Sequence, residues 1–341
     1  HQDLNRVVRR RLQLCIRERC NSGKKYKRCC MDSASKQHSE VFDEIAHTIA
    51  ANPDLSLDEM NLIAQHKISG INNSSLDDFC GLSANQMDNW LRAPFNELAG
   101  VTISIPNELT TSPVMRYLAI ILDEAMQQGG SFKATTKGNL PAKIAKQASE
   151  LLPEFAVSEY EKPVSISEFA GSNEDKINAL HYTRILADIA GIIYLKSGRF
   201  HVKKTAQKQY QTQGIKAFFL PMLEAATTHY NWAYFDSFVS NCDLRTFWLF
   251  MVWRIQIHGS VEQLTEEVIT AFPALLNEVP ATQYKDPQDL LGVLIRSRFI
   301  ERFLEFWGFI TVNPKRFADG KPIAIKTNIQ PLLKQTFAFD I

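Results

Sequence analysis

The sequence predicts a mainly α-helical fold with short β-hairpins, preceded by a small basic module rich in cysteine. Three observations carry this. Apolar stripes at helical spacing recur through much of the 341-residue chain. Short apolar strands bounded by glycine turns interrupt them, as in Ile193-Tyr-Leu195 and Arg199-Phe-His-Val202 on either side of Lys196-Ser-Gly198. Finally, residues 1–36 hold eleven Lys/Arg against three Asp/Glu, and four of the six cysteines. That segment sums to +8 while the chain sums to +1, so the other 305 residues carry −7. The positive charge belongs to the tail, not to the body.

The bulk numbers exclude several classes. Hydrophobic residues make up 45% and charged residues 22%, as in a folded globular protein rather than a disordered one. Phe alone occurs 21 times, so aromatic packing is expected to dominate the interior. No apolar run approaches the roughly 18–20 residues that span a bilayer. The longest, Phe247-Trp-Leu-Phe-Met-Val-Trp253, is followed by Arg254 and reads as a deeply packed helix, so no membrane partner is expected. The basic N-terminus lacks an apolar core and a small-residue cleavage site, so no secretory signal is expected and a cytoplasmic location is the default. In that compartment clustered cysteines bind metal more often than they form disulfides. Cys80 and Cys242 stand alone and read as core thiols.

Within the tail lies Cys20-Asn-Ser-Gly-Lys-Lys-Tyr-Lys-Arg-Cys29-Cys30. Asn21-Ser22-Gly23 supplies a tight turn, and Gly23 can take positive φ. Lys24, Lys25, Lys27 and Arg28 surround the thiols with positive charge, which favours the thiolate that a metal needs. Adjacent Cys29 and Cys30 can both contribute to one tetrahedral metal site if this turn brings partners in. The competing reading is a basic helix, Arg6 to Arg19, running into a knuckle without a metal.

This segment resembles the SEC-C motif, known from the C-terminal tail of the SecA translocation motor and found on many bacterial proteins. The match runs from Cys20 through Ser22, Gly23, Lys24, Lys25, Tyr26 and Lys27 to Cys29 and Cys30. It departs where Asn21 replaces the usual glycine and where Glu18 occupies the first cysteine position. The resemblance implies a structural Zn2+ held by Cys20, Cys29 and Cys30, with Cys15 or Glu18 as fourth ligand. It also points to a class of bacterial proteins in which such a knuckle precedes a long helical body, with phrases similar to Gly81-Leu-Ser-x-x-Gln-Met87 and Lys137-Gly-Asn-Leu-Pro141.

Five regions follow in order: the module 1–36, a helical region 37–158, a polar connection 159–178, a second region 179–288, and a C-terminal region 289–341. Helices are expected at 38–52 and 56–68, broken by Asn52-Pro53-Asp54. Ser83 is the expected N-cap of a helix whose stripe is Met87, Trp90 and Leu91, ended by Pro94. Residues 101–112 read as extended. An apolar helix from Pro113 leads through Gly129-Gly130 to a strand at 131–134, then to a helix 142–152. The second region repeats the scheme with helix 177–190, the hairpin 191–202 and helix 205–213. By eye, Phe132-Lys-Ala-Thr-Thr-Lys-Gly138 aligns with Phe200-His-Val-Lys-Lys-Thr-Ala206. A third version has helix 289–305, a strand ending at Val312, a strand 321–326 and helix 328–334. A helix, a two-stranded wing and a further helix resemble winged-helix architecture, so the body reads as repeated winged-helix-like units. The aromatic stretch 215–255 reads as core.

Motifs of the common enzymes are missing. There is no Gly-x-Gly-x-x-Gly after a strand, no Walker-type phosphate loop, no His-Glu-x-x-His and no Gly-x-Ser-x-Gly. Lys137-Gly138 at a helix start reads either as a phosphate contact or as a surface turn. An enzyme of unknown class is the least supported reading. A non-catalytic nucleic-acid-binding role leads, using Arg9, Arg10, Arg11, Lys24, Lys25, Lys27 and Arg28 of the tail with Lys133, Lys137, Lys196, Arg199, Lys203 and Lys204 of the wings. The alternative is an adaptor whose knuckle docks an acidic protein surface. Wing lysines lined up beside Arg9–Arg11 of the tail favour nucleic acid; scattered ones together with an apolar patch favour a protein partner.

Overall fold

A computed structural model describes residues 47, 51, 56–155, 173–236, 242–279, 286–313 and 326–341. The module 1–36 lies outside these residues, as do most of the helix expected at 38–52 and residues 321–325 of the last expected strand. The described chain is mainly helical with three small antiparallel sheets. No helix among the described residues is long and apolar enough to cross a membrane.

The chain divides into two compact units, one formed up to Asn89 with Ser240–Cys242 and Glu266–Leu290, the other from Trp90–Val239, Asp243–Thr265 and Leu291–Ile341. In the first unit, helix α1 (Leu57–Asn72) opens with a capping box. Ser56 Oγ accepts from Glu59 N at 3.3 Å, and Glu59 Oε2 accepts from Ser56 N at 2.8 Å. Phe79 stacks on Phe272 with ring centroids 6.2 Å apart. Helix α2 (Ala84–Arg92) starts at the expected cap: Ser83 Oγ accepts from Gln86 N at 3.2 Å, and Gln86 Oε1 accepts from Ser83 N at 2.9 Å. Its predicted stripe holds, with Met87 and Trp90 buried and Leu91 half-buried.

The second unit begins with β1 (Val101–Ile103) and α3 (Pro113–Gln127), then β2 (Ser131–Lys133), α4 (Ala142–Leu151), α5 (Asn178–Ile189), β3 (Ile193–Lys196), β4 (Arg199–Val202) and α6 (Lys204–Gln213). Helix α3 packs along α5. Pro113 at its first turn costs no hydrogen bond, and it buries Val114, Met115, Tyr117, Leu118, Ile121, Leu122 and Ala125. Helix α7 (Trp248–His258) buries Trp248 through Trp253 without a gap, the all-round burial its sequence predicts. A π-helical stretch, Ile295–Glu305, brings Phe299 and Phe303 under Trp232, whose ring lies 5.1 Å from Phe303. Trp307 and Phe309 stack nearly parallel, 5.7 Å apart, and Phe309 meets Phe337 edge-on at 5.5 Å. Each such ring contributes roughly 1.5–3 kcal/mol by leaving water, so this aromatic interior holds the unit together.

Three features of the strands differ from expectation. The C-terminal pair forms at β5 (Ile310–Asn313) and β6 (Lys326–Ile329), later than the apolar pattern suggested, and is followed by helix α8 (Pro331–Thr336). The last residues, β7 (Phe337–Phe339), pair with β1 across more than 230 positions, and no local signal announces that pairing. More consequentially, the first and second regions do not build separate wings. Strand β2 pairs with β4, and the three strands form one sheet in the order β2-β4-β3. The similarity between the segments around Phe132 and Phe200 reflects two strands lying side by side: these two residues are direct cross-strand partners.

Candidate nucleic-acid interface

The β2-β4-β3 sheet is set by alternation and by one turn. Its inner face carries Phe132, Phe200, Val202 and Ile193, all buried. A two-residue connection, Ser197 at φ 50° and Gly198 at φ 70°, joins β3 to β4. Both positions in the left-handed region mark the hairpin turn whose twist matches antiparallel strands, and glycine takes the second without strain.

Register then determines the outer face. Lys133 is the cross-strand partner of Arg199, and Arg199 is the partner of Lys196. Direct partners share a face, so three cations lie in one row across three strands, about 4.8 Å between neighbouring strands. Lys133 and Lys196 are exposed and Arg199 is half-buried. The next row on this face is Ser131, His201 and Tyr194. Tyr194 and His201 stack at 5.1 Å with planes 16° apart. Arg199 bends back along the sheet, donating from Nη2 to the Ser131 carbonyl at 3.0 Å and from Nε to Ser131 Oγ at 3.3 Å. No Asp or Glu occurs in the three strands.

The remaining predicted cations divide. Lys137 sits in the turn after β2, which closes through Gly138 N to Thr135 O at 2.9 Å and docks beside the hairpin through Ala134 N to Gly198 O at 2.9 Å. Gly138, beside Lys137, approaches the Leu195 side chain, which alternation puts on the face opposite Lys196, so Lys137 is not part of the cation row. Lys203 and Lys204 follow the far end of β4, with Lys203 N donating to Ile192 O. Arg9, Arg10, Arg11, Lys24, Lys25, Lys27 and Arg28 lie outside the described residues. The aromatic pair Tyr194–His201 was missing from the predicted site, although the alternation in Ile193-Tyr-Leu-Lys196 and Arg199-Phe-His-Val202 puts both residues on the cationic face once the register is known.

The zinc expectation is corrected. Among the described residues no group of three or more His, Cys, Asp or Glu could hold a metal ion. Cys20, Cys29, Cys30, Cys15 and Glu18 lie outside those residues, and no metal centre enters the function developed below. Cys242 is buried, as expected of a core thiol, and Cys80 is half-buried.

A second polar cluster lies within the same unit. Glu174 is buried and accepts from Arg184 Nε at 2.6 Å and from the Leu140 backbone N–H, with His181 Nδ1 2.7 Å from its Oε1. Burial alone would raise its pKa, but these donors outweigh it and hold the carboxyl below the ordinary glutamate value. His181 Nε2 stands 3.1 Å from Tyr234 Oη. The cluster joins the 140 turn, the segment leading into α5 and the 230–236 turn; Glu174, His181 and Arg184 are close in sequence, but Leu140 and Tyr234 lie 34 and 53 residues from their partners. Burial also raises the phenols of Tyr117, Tyr182 and Tyr230.

An open cleft of about 340 Å³ is lined by Trp90, Phe95, Thr227, Asp243, Arg245 and Trp248 among others. Two of its charges pair with each other. Arg245 donates to both carboxylate oxygens of Asp243, at 2.9 and 2.6 Å, and to the carbonyls of Thr228 and Tyr230. No family model, no curated protein and no solved structure matches this chain.

Proposed function

We propose that this protein binds nucleic acid, with the outer face of the β2-β4-β3 sheet as the contact surface. The observation that carries the reading is the row Lys133–Arg199–Lys196, free of acidic residues on its own strands. A body that is otherwise net negative concentrates positive charge there, which suits a phosphate backbone. The order helix, strand, helix, helix, strand, strand, with β2 pairing β4 and β4 pairing β3, resembles a single winged-helix unit whose wing is the 193–202 hairpin. The basic tail with its SEC-C-like sequence would add non-specific attraction through Arg9–Arg11 and Lys24–Arg28.

The test is fluorescence anisotropy of labelled oligonucleotides against the full chain and the double variant Lys133→Glu/Lys196→Glu, between about 50 and 200 mM salt. Both positions are exposed, so folding is expected to survive. Weakening of binding, with a salt slope lower by about one for each lost phosphate contact, supports the reading. Unchanged affinity and slope would remove the sheet from it and turn attention to an acidic protein partner.

A further inference from the structure

From the same sheet we infer that the nucleic acid it accepts is single-stranded, with a base stacked at Tyr194. This rests on the nucleic-acid reading and narrows it to a substrate class, on two independent observations.

The first concerns the helix that a winged-helix unit would place in a duplex groove. Here that helix is α5, which precedes the hairpin. Seven of its twelve residues are buried: Ala179, Leu180, His181, Tyr182, Thr183, Leu186 and Ala187. Its single basic residue, Arg184, is held by Glu174 at 2.6 Å, and its exposed C-terminal end carries Asp188 and Ile189. Reading a major groove needs donors and acceptors projecting from an accessible helix face. Helix α5 has spent its face on the core.

The second concerns what the sheet offers instead. Single strands are held by cations that track the backbone and by aromatic rings on which bases stack. Both are present on one face in adjacent rows. Tyr194 is 38% exposed although it stacks on His201. His201 covers one face of the phenol ring, and among the described residues β3 is an edge strand with no further strand beyond it. Rows on one face are about 6.5–7 Å apart along a strand, within reach of a base on Tyr194 whose phosphate meets Lys196 or Arg199. A regular duplex keeps its bases stacked inside and can use only the cations.

The experiment compares a fluorescein-labelled oligo-dT strand and a duplex of matched length, using the full chain at fixed salt. Its variants are Tyr194→Ala, Tyr194→Phe and Lys133→Glu/Lys196→Glu. Stacking on an aromatic ring corresponds to roughly 5- to 150-fold in affinity. We expect the single strand to bind more tightly than the duplex. We also expect Tyr194→Ala to weaken the single strand by that factor while leaving the duplex unchanged, and Tyr194→Phe to bind as wild type because the ring is retained. If the charge reversal weakens both probes equally and Tyr194→Ala affects neither, the stacking inference is overturned while the nucleic-acid reading stands. If charge reversal changes nothing, both fall. Circular dichroism of each variant separates loss of binding from loss of fold.

Discussion

Arg298 and Asp236 form an ion pair almost wholly withdrawn from water. Arg298 Nη2 lies 2.6 Å from Asp236 Oδ2, with the two side chains 1% and 3% exposed. Arg302, one turn further along the π-helical stretch, reaches the other carboxylate oxygen and lies over the Phe235 ring at 5.8 Å. The pair fastens the 230–236 turn to that stretch. Breaking a buried pair by removing one partner costs about 3–5 kcal/mol because the other charge is left unpaired. Asp236→Ala should therefore lower unfolding free energy by that amount in a urea titration. Arg302→Ala, whose side chain is 22% exposed, should cost about 1 kcal/mol or less. Equal effects for the two would contradict the assignment of Arg298 as the buried partner.

Glu174 gives the fold an acid limit. Its carboxyl is held below the ordinary glutamate value of 4.5 by His181, Arg184 and the Leu140 amide, in spite of burial. A group whose folded pKa is depressed contributes stability above its unfolded pKa and loses it as pH falls through the folded value. The wild type should thus lose stability on the acid side of about pH 4.5. Glu174→Gln should be less stable at neutral pH, and the gap between the two should narrow as pH falls below that point. Urea midpoints measured across the acid range test this. A gap that stays constant would show that the carboxylate charge contributes nothing.

Gly308 ends the helical run before β5 at φ 74°, with its N–H donating to Glu305 O at 3.0 Å. A Cβ there would lie 2.4 Å from the Thr111 carbonyl oxygen and 3.2 Å from Ser112 Cα, both backbone atoms that cannot swing aside. Gly308→Ala combines left-handed strain with this clash and should cost upwards of about 1–3 kcal/mol. A comparison with Gly129→Ala isolates the clash. Gly129 also has positive φ but nothing within 4 Å of its Cβ position.

Local order was legible because local chemistry dictates it. Ser83 with Gln86 is a cap at three-residue spacing, and Trp248–Trp253 is too apolar for any surface. The predicted interface was legible only in part. Lys133, Lys196 and Arg199 could be singled out as basic residues in short strands, but their convergence depends on β2 pairing with β4 at a separation of 68 residues between Ser131 and Arg199. Alternation tells which residues share a face of one strand and is silent on which strand lies next to it. The same blindness made Phe132 and Phe200 look like equivalent positions of a repeat. The Glu174–His181–Tyr234 cluster and the Asp236–Arg298 pair depend on separations of 7, 53 and 62 residues, and no motif links them.

The register that creates the cation row is anchored on the opposite side of the sheet by Phe132 and Phe200. Their rings lie 5.6 Å apart at 39°, both nearly without solvent exposure. Truncating a buried Phe costs about 3–5 kcal/mol, so Phe132→Ala and Phe200→Ala should each destabilise by that order. A tilted aromatic pair also interacts beyond the area it buries, by about 0.5–1.5 kcal/mol. The double variant should therefore be less destabilised than the sum of the singles by that difference. Additive losses would mean that the two rings do not face each other. In that case Lys133 would not sit opposite Arg199, and the row on which the interface depends would be dispersed. Phe132→Leu keeps an apolar side chain on the inner face, so it should retain the register, and with it the proposed nucleic-acid binding, while losing the aromatic coupling.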